Sequence, residues 1–268
     1  YSFSDQLRLI SGLRYIDDEV ESCVKNFFTT VCDNLSSSSD ETTGKIAVEY
    51  DFNGSTMGYA SYTIGSKPGG TNLTYGFSTR EELDAAFRFT SPVVTPMVFR
   101  AFESENLESL EFGLKSDFFN GKARANIAVF SYDYENLQFQ ATDPDPYRGG
   151  VANIPNSDMD GVEIEFTALL GDSITFDMNL GFIDTEVTSE YEVLDNVLAY
   201  QYFFDEEQER YDLREDVKGN MLAKTPEFTA DATLTYEGEL ASGNPINVCL
   251  LYTSDSADDL WCVVIGGV

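Results

Sequence analysis

Apolar and polar residues alternate with a period of two along most of this chain, and the alternating stretches come in pairs. Ile46, Val48, Tyr50 and Phe52 share one face against Lys45, Ala47, Glu49 and Asp51. A short turn at Asn53-Gly54-Ser55 leads to Ala60, Tyr62 and Ile64 opposite Ser61, Thr63 and Gly65. Such alternation predicts half-apolar β-strands, and Asn-Gly between two of them predicts a tight hairpin. Leu110, Phe112 and Leu114, set against Glu111, Gly113, Lys115 and Asp117, connect through Asn120-Gly121 to Ala125, Ile127 and Val129. Val162, Ile164 and Phe166 connect through Gly171-Asp172 to the clean run Ile174, Phe176, Met178, Leu180 and Phe182. Phe228 to Tyr236 alternates in the same way and turns at Ser242-Gly243-Asn244 into a strand near Ile246. The first strand, about Phe3 to Ile16, puts Leu7, Leu9, Leu13 and Tyr15 on one face and Arg8, Gly12 and Arg14 on the other. Phe130, Tyr132 and Tyr134 sit on the second face of their strand, so they either line an interior or mark a bulge that swaps faces.

Between the pairs lie long acidic stretches without periodicity. They run about Asp17 to Thr43, Lys67 to Leu107 (with a short helix at Arg80 to Phe89), Gln138 to Met159, and Asp184 to Thr225. Tight turns on one side and long loops on the other are what an antiparallel barrel spanning an outer membrane needs. The expected fold is all-β: a partial antiparallel transmembrane β-barrel of about nine strands with long extracellular loops. No run approaches the roughly 18 apolar residues of a membrane helix, which leaves a barrel open because its lipid face uses every second residue. Alternation by itself also fits a soluble sandwich, whose apolar faces meet each other; the loop asymmetry favours the barrel. Tyr15, Tyr50, Tyr62 and Tyr236, near strand ends, suit an interfacial aromatic girdle.

Composition narrows the chemistry. The net charge is -31, which argues against nucleic acid as a partner and fits a solvated surface or one holding divalent cations. There are no histidines, so Ser-His-Asp and Cys-His catalysis and ordinary zinc sites are excluded. Cys23 and Cys32 sit close together in one predicted loop, a spacing read as a local disulfide or as two free thiols. Glu163 and Glu165 share a strand face, where a structural role outweighs glycosidase chemistry. The opening residues Tyr1-Ser2-Phe3-Ser4-Asp5 show no signal-peptide pattern, so a leader is expected to be absent or upstream.

Several motifs resemble those of TonB-dependent outer-membrane receptors. They are Tyr59-Ala-Ser-Tyr62 followed by Gly65-Ser-Lys67-Pro-Gly69-Gly70-Thr-Asn72, then Leu110-Glu111-Phe-Gly113-Leu-Lys115-Ser, Ala128 to Gln138, Gly161-Val-Glu-Ile-Glu165, and Leu9 to Tyr15. Their order and spacing over about Leu7 to Tyr236 carry the resemblance, with Gly65, Lys67, Gly69, Gly70, Asn72, Glu111, Gly113 and Lys115 as the family-motif residues. Ser91-Pro92-Val93-Val94 departs from it, standing where the family has Pro-Glu. The resemblance implies part of a barrel of roughly 22 strands, with a plug and TonB box not found in this sequence, and a bacterial outer-membrane location. It implies import of a scarce ligand, most often a ferric siderophore, driven through TonB, with binding in place of catalysis. Cys249-Leu-Leu-Tyr-Thr-Ser-Asp-Ser-Ala-Asp-Asp-Leu260 resembles a translated sequencing adapter, so residues 1–248 are read as barrel and 249–268 as a non-native tail.

On this reading the loops supply affinity. Tyr75, Phe77, Tyr147, Arg148, Tyr200, Tyr202 and Phe203 are the candidate ligand contacts, aromatics for area and arginine for an anionic, Fe3+-carrying chelate. No resident cofactor is expected; the acidic residues Asp205, Glu206, Glu207, Glu209, Asp212, Glu215 and Asp216 are candidates to hold Ca2+ or to bridge lipopolysaccharide. Outer-membrane lipid, lipopolysaccharide and the TonB complex are the expected partners. Two other readings share the strands: a passive porin-like channel, and a secreted acidic glycan-binding or adhesin module, in which Asn34 and Asn72 would be glycosylation acceptors.

Overall fold

In a computed structural model, the chain is described for residues 1–25, 32–72, 101–143, 148–195, 214–239, 242–254 and 260–266. In chain order the strands are β1 (Leu7–Lys25), β2 (Cys32–Asn53), β3 (Thr56–Lys67), β4 (Gly70–Thr71), β5 (Ala101–Phe102), β6 (Glu105–Phe118) and β7 (Ala123–Asp143). They continue with β8 (Arg148–Leu169), β9 (Ile174–Val187), β10 (Glu192–Leu194), β11 (Arg214–Asp216), β12 (Phe228–Glu239), β13 (Pro245–Ser254) and β14 (Leu260–Gly266). Ten of them form one antiparallel sheet in the order β1-β2-β3-β6-β7-β8-β9-β12-β13-β14, where about nine strands were expected. The pairs β4–β5 and β10–β11 are small hairpins set against that sheet. The helix expected at Arg80 to Phe89 lies outside the described residues.

Registry turns the alternation into two chemically opposite surfaces. Phe112, Val129, Val162, Phe182 and Phe228 are cross-strand partners in one row, and Leu114, Ile127, Ile164 and Leu180 form the next. These side chains are open: Phe112 is 53 % exposed, and Val129 and Phe182 are each 48 %. No second sheet covers them among the described residues, which rules against a sandwich. The band from Ile174 to Phe182 on β9 matches the roughly 9–11 residues a tilted strand needs to cross hydrocarbon. Tyr50 and Tyr236 flank it near the short turns and Tyr15 and Tyr62 towards the opposite end, all four exposed, as a two-level girdle would be.

The other face is concave. The β4–β5 hairpin touches β1 and β2 on one side and β8 on the other, strands well separated in sheet order, so the sheet must curl around it. Phe130 faces this side and is only 6 % exposed; Tyr132 and Tyr134 follow it, half-buried, in unbroken register with β8. They therefore line the interior, and no bulge intervenes before Glu135. Two close approaches fix the face. The Tyr59 ring lies over Gly113 and the Phe130 ring over Gly161; a Cβ on either glycine would fall 2.1 and 2.3 Å from ring atoms. In the complete receptor, Gly113→Ala is expected to lower stability to denaturant by about 1–3 kcal/mol through overpacking, and adding Tyr59→Ala should recover most of it. Equal losses in the single and double variants would count against this packing.

Two expected loops are mostly strand. β1 runs on to Lys25 and β2 begins at Cys32, paired without a break from Leu7↔Tyr50 to Lys25↔Cys32. β7 and β8 likewise extend to Asp143 and from Arg148. At about 3.3 Å per residue, the 22 residues of β8 span far more than an apolar band about 25 Å tall. Beyond the lipid both faces of a strand are wet, so the sequence has no reason to alternate there, and a ladder of backbone hydrogen bonds continues without a side-chain signature. The expected Asp17–Thr43 and Gln138–Met159 loops are corrected accordingly. The short turns, at Asn53–Ser55, Phe119–Lys122 and Leu170–Ser173, all lie at the opposite end.

Candidate functional site: the concave wall and its mouth

The concave wall is a ladder of polar side chains joined across strands. Arg8 on β1 donates from Nε to Glu49 at 2.9 Å and from Nη2 to Asp51 at 3.1 Å, and its Nη1 bonds Asp51 as well. The Tyr59 hydroxyl donates to Glu111, and the Lys115 ammonium lies 5.7 Å from the centre of the Tyr59 ring. Asn126 donates to Glu165 at 2.9 Å, Thr167 to Asp177 at 2.8 Å and Asn179 to Asp231 at 2.9 Å. Arg124 makes a two-pronged pair with Asp117 at 2.7 and 3.1 Å. Individually such cross-strand pairs stabilise by only about 0.2–1 kcal/mol. Together they hold the carboxylates they engage along the wall, Glu165 on β8 among them; Glu163 lies on the same face of that strand. Nothing in this arrangement pairs a nucleophile with a base.

At the mouth, the segment from Lys67 to Asn72 folds across the inside and is pinned there. The Asn72 side chain copies a strand residue: its Nδ2 donates to the Val151 carbonyl and its Oδ1 accepts from the Val151 amide, both at 2.8 Å. Gln138 donates to the Pro68 and Glu103 carbonyls at 2.9 and 3.1 Å, and its own amide donates to Glu105 at 2.7 Å. Asn153 accepts from the Glu103 amide at 2.8 Å and donates to the Glu103 and Asn136 carbonyls at 3.1 and 2.7 Å. Gly69 and Gly70 are required by the crossing. A Cβ on Gly69 would meet the Phe102 carbonyl at 2.6 Å, and one on Gly70 the Phe102 ring at 2.6 Å. Thr71 closes the hairpin against β1 through Ser22, oxygen to oxygen at 2.7 Å.

The family-motif residues thus divide into two groups. Lys67, Gly69, Gly70 and Asn72 anchor the mouth, with Lys67 4.0 Å from Glu105, while Gly65 stands opposite Leu107 in the β3–β6 ladder. Glu111, Gly113 and Lys115 belong to the wall below. Asn153, Glu103 and Glu105 escaped the sequence reading because they fall in stretches without periodicity, and Gln138, which ends the Ala128 to Gln138 motif, had no role assigned to it. The one available hint was the amide side chains Gln138 and Asn153 in segments otherwise read as acidic loop.

Tyr75, Phe77, Tyr147, Tyr200, Tyr202 and Phe203 lie outside the described residues; Arg148 opens β8 but its side chain is likewise outside. Cys23 is disulfide-bonded; the side chain of Cys32 is not among those described, and the backbone brings the two strands together at Lys25↔Cys32. Cys249 is a free thiol. Of the acidic residues considered for calcium, Glu215 and Asp216 are described. Asp216 accepts from the amides of Lys218 and Tyr191, each at 3.0 Å, which holds its carboxyl below the usual range and commits it to the open end of the β10–β11 pair. That hairpin packs Tyr191 and Val193 on Phe139, Ala141 and Ala152, opposite the side Gln138 and Asn153 present to the β4–β5 region.

A family model described as "TonB dependent receptor-like, beta-barrel" matches residues 1–260. Among solved structures, the ferric yersiniabactin uptake receptor FyuA from Yersinia pestis superposes with a TM-score of 0.63 at 13 % identity, over 98 % of this chain and 35 % of that one. The siderophore receptor PiuA from Acinetobacter baumannii gives 0.61 at 17 % identity, over 98 % and 34 %. The copper transporter OprC gives 0.59 at 15 % identity, over 98 % and 37 %. At these identities the likeness establishes the fold, and the chain spans about a third of the length of the structures it matches. Members of the matched family are receptors and transporters of the bacterial outer membrane, not enzymes. With its apolar convex band, polar concave wall and family match over nearly its whole length, this chain belongs to the TonB-dependent receptor family and forms part of the β-barrel.

Proposed function

We propose that the complete receptor imports a ferric siderophore, with energy supplied through TonB, and that this chain supplies about a third of its wall. The observation that carries the reading is the pinned mouth. Asn72, Gln138 and Asn153 hold a crossing segment across the concave side, which gives loop-borne ligand contacts a fixed platform at the entrance. Siderophore receptors among the structural neighbours support the cargo class; a copper transporter of similar likeness makes free or chelated copper the competing cargo. Tyr75, Phe77, Tyr147, Arg148, Tyr200, Tyr202 and Phe203 are the proposed contacts, with Arg148 facing the anionic part of the chelate. Cys32 is the proposed partner of Cys23, closing the tip between β1 and β2.

The test is uptake of radiolabelled iron from a panel of purified siderophores by cells carrying the complete receptor as their only ferric-siderophore route. At least one chelate should support uptake that vanishes when TonB is deleted, and Arg148→Ala should weaken its binding about tenfold. Uptake indifferent to TonB would identify a passive channel, and uptake of copper alone would replace the cargo.

A further inference from the structure

The concave face of β1 to β3 holds an open cavity of about 440 Å³, just below the root of the segment that crosses the mouth. Gly12 on β1 and Gly65 on β3 leave its floor bare, and Arg14, Thr43, Lys45 and Thr63 line it. Registry brings these residues together. Lys45 stands between Gly12 and Thr63 across the three strands, and Arg14 stands opposite Thr43. Arg14 and Lys45 are therefore diagonal neighbours on adjacent strands, close enough for two long side chains to reach one group.

Two features of this cavity serve nothing within the chain. One is its charge. Elsewhere on the described wall the inward cations are engaged: Arg8 by Glu49 and Asp51, Arg124 by Asp117, Lys67 by Glu105 and Lys115 by the Tyr59 ring. Arg14 and Lys45 are exposed and, among the described residues, have no carboxylate within ion-pair distance, although Glu41 is close by on the same face of β2. In a chain of net charge -31, two neighbouring cations left without a counter-charge attract an anion from outside. The other feature is space. A Cβ on Gly12 would meet nothing within 4 Å, and one on Gly65 only the Leu107 Cβ at 3.9 Å. Neither glycine has a positive φ, and no ring lies over them as rings lie over Gly113 and Gly161. Glycine weakens the interior of a strand, and there it marks a place where a ligand or another backbone comes close.

We propose that this cavity binds an anionic oxygen group of the imported chelate. The Arg14 guanidinium takes two oxygens in parallel, the Lys45 ammonium closes from the neighbouring strand, and the bare strand at Gly12 and Gly65 lets the body of the chelate lie against the wall. The inference rests on siderophore import as proposed above and adds a charge class to it: the cargo is an anionic chelate, not a neutral or cationic one.

Equilibrium binding of iron-labelled chelates to the complete receptor in detergent tests this, with anionic ferric citrate and ferric enterobactin, neutral ferrichrome and cationic ferrioxamine B. At least one anionic chelate should bind, about tenfold more tightly than ferrichrome or ferrioxamine B. R14A/K45A should weaken that binding about tenfold or more, whereas K45R, which keeps the charge, should leave it nearly unchanged. Gly12→Val keeps both cations but narrows the cavity, and should weaken binding while leaving the heat-modifiable gel shift intact, because its side chain meets open space. The same gel shift is checked for every variant, so that misfolding is seen separately. Binding of neither anionic chelate would overturn the inference; siderophore import would still stand if ferrichrome or ferrioxamine B bound instead, and both would fall if copper alone were taken up. Unchanged affinity for the anionic chelate in R14A/K45A would also overturn it. So would entry of vancomycin into cells carrying R14A/K45A, which would assign the pair to holding a plug segment inside the barrel.

Discussion

Expressed by itself and offered detergent or lipid, the 268-residue chain is expected to aggregate and to show no heat-modifiable gel shift. Its sheet has two open sides. Among the described residues, the outer edge of β1 is covered only where Tyr1 folds back, its amine donating to the Leu9 carbonyl at 2.7 Å and its carbonyl accepting from the Leu9 amide at 2.8 Å. The far edge of β14 has no neighbour among the described residues. In hydrocarbon each unsatisfied backbone group costs several kcal/mol, and every second group along an edge strand points outward. Cross-strand side-chain pairs at about 0.2–1 kcal/mol each cannot offset a row of such groups. In water the apolar band is uncovered instead, so exposed edges and exposed surface both favour self-association. A cooperative gel shift from the isolated chain would overturn this, and would mean that the edges find each other or a second copy.

The second large effect concerns depth in the membrane. In the complete receptor, Ile127→Arg is expected to cost about 2–4 kcal/mol of stability, because position 127 lies inside the convex band, between Leu114 and Ile164 in its row, where a guanidinium has neither water nor a counter-charge. Asp133→Arg, on the same strand and face but beyond the band, should cost no more than about 1 kcal/mol. Urea titration of refolded receptor in lipid vesicles measures both. Similar costs at the two positions would mean that protein, not lipid, covers this face, and would end the membrane assignment of the convex surface.

The site was less legible than the fold, for a physical reason. Wherever lipid presses on one side, Val, Leu, Ile and Phe are required at every second position, and that requirement is written into the chain from Leu7 to Tyr236. Above the lipid it lapses. Ser36 to Ser39 form regular strand opposite Glu21 to Asp18, yet nothing in Ser-Ser-Ser-Ser demands it. The mouth is built in the same silent region. Asn72 grips Val151 over a separation of 79 residues, and Gln138 reaches Pro68 over 70. Each residue alone reads as one more polar loop position. Motif resemblance singled out Asn72 but could not say what it held.

The chain by itself determined the strands, their pairing through short turns, the face that meets hydrocarbon and the absence of histidine chemistry, because each follows from local alternation, turn residues or composition. Only the folded sheet decided that Phe130, Tyr132 and Tyr134 line the interior, that two apparent loops are extended hairpins, and that Gly69 and Gly70 let a segment cross the mouth. It also decided that Arg14 and Lys45, on neighbouring strands, line one inward cavity. Those outcomes depend on which distant residues register brings opposite one another, and no window of sequence contains both partners.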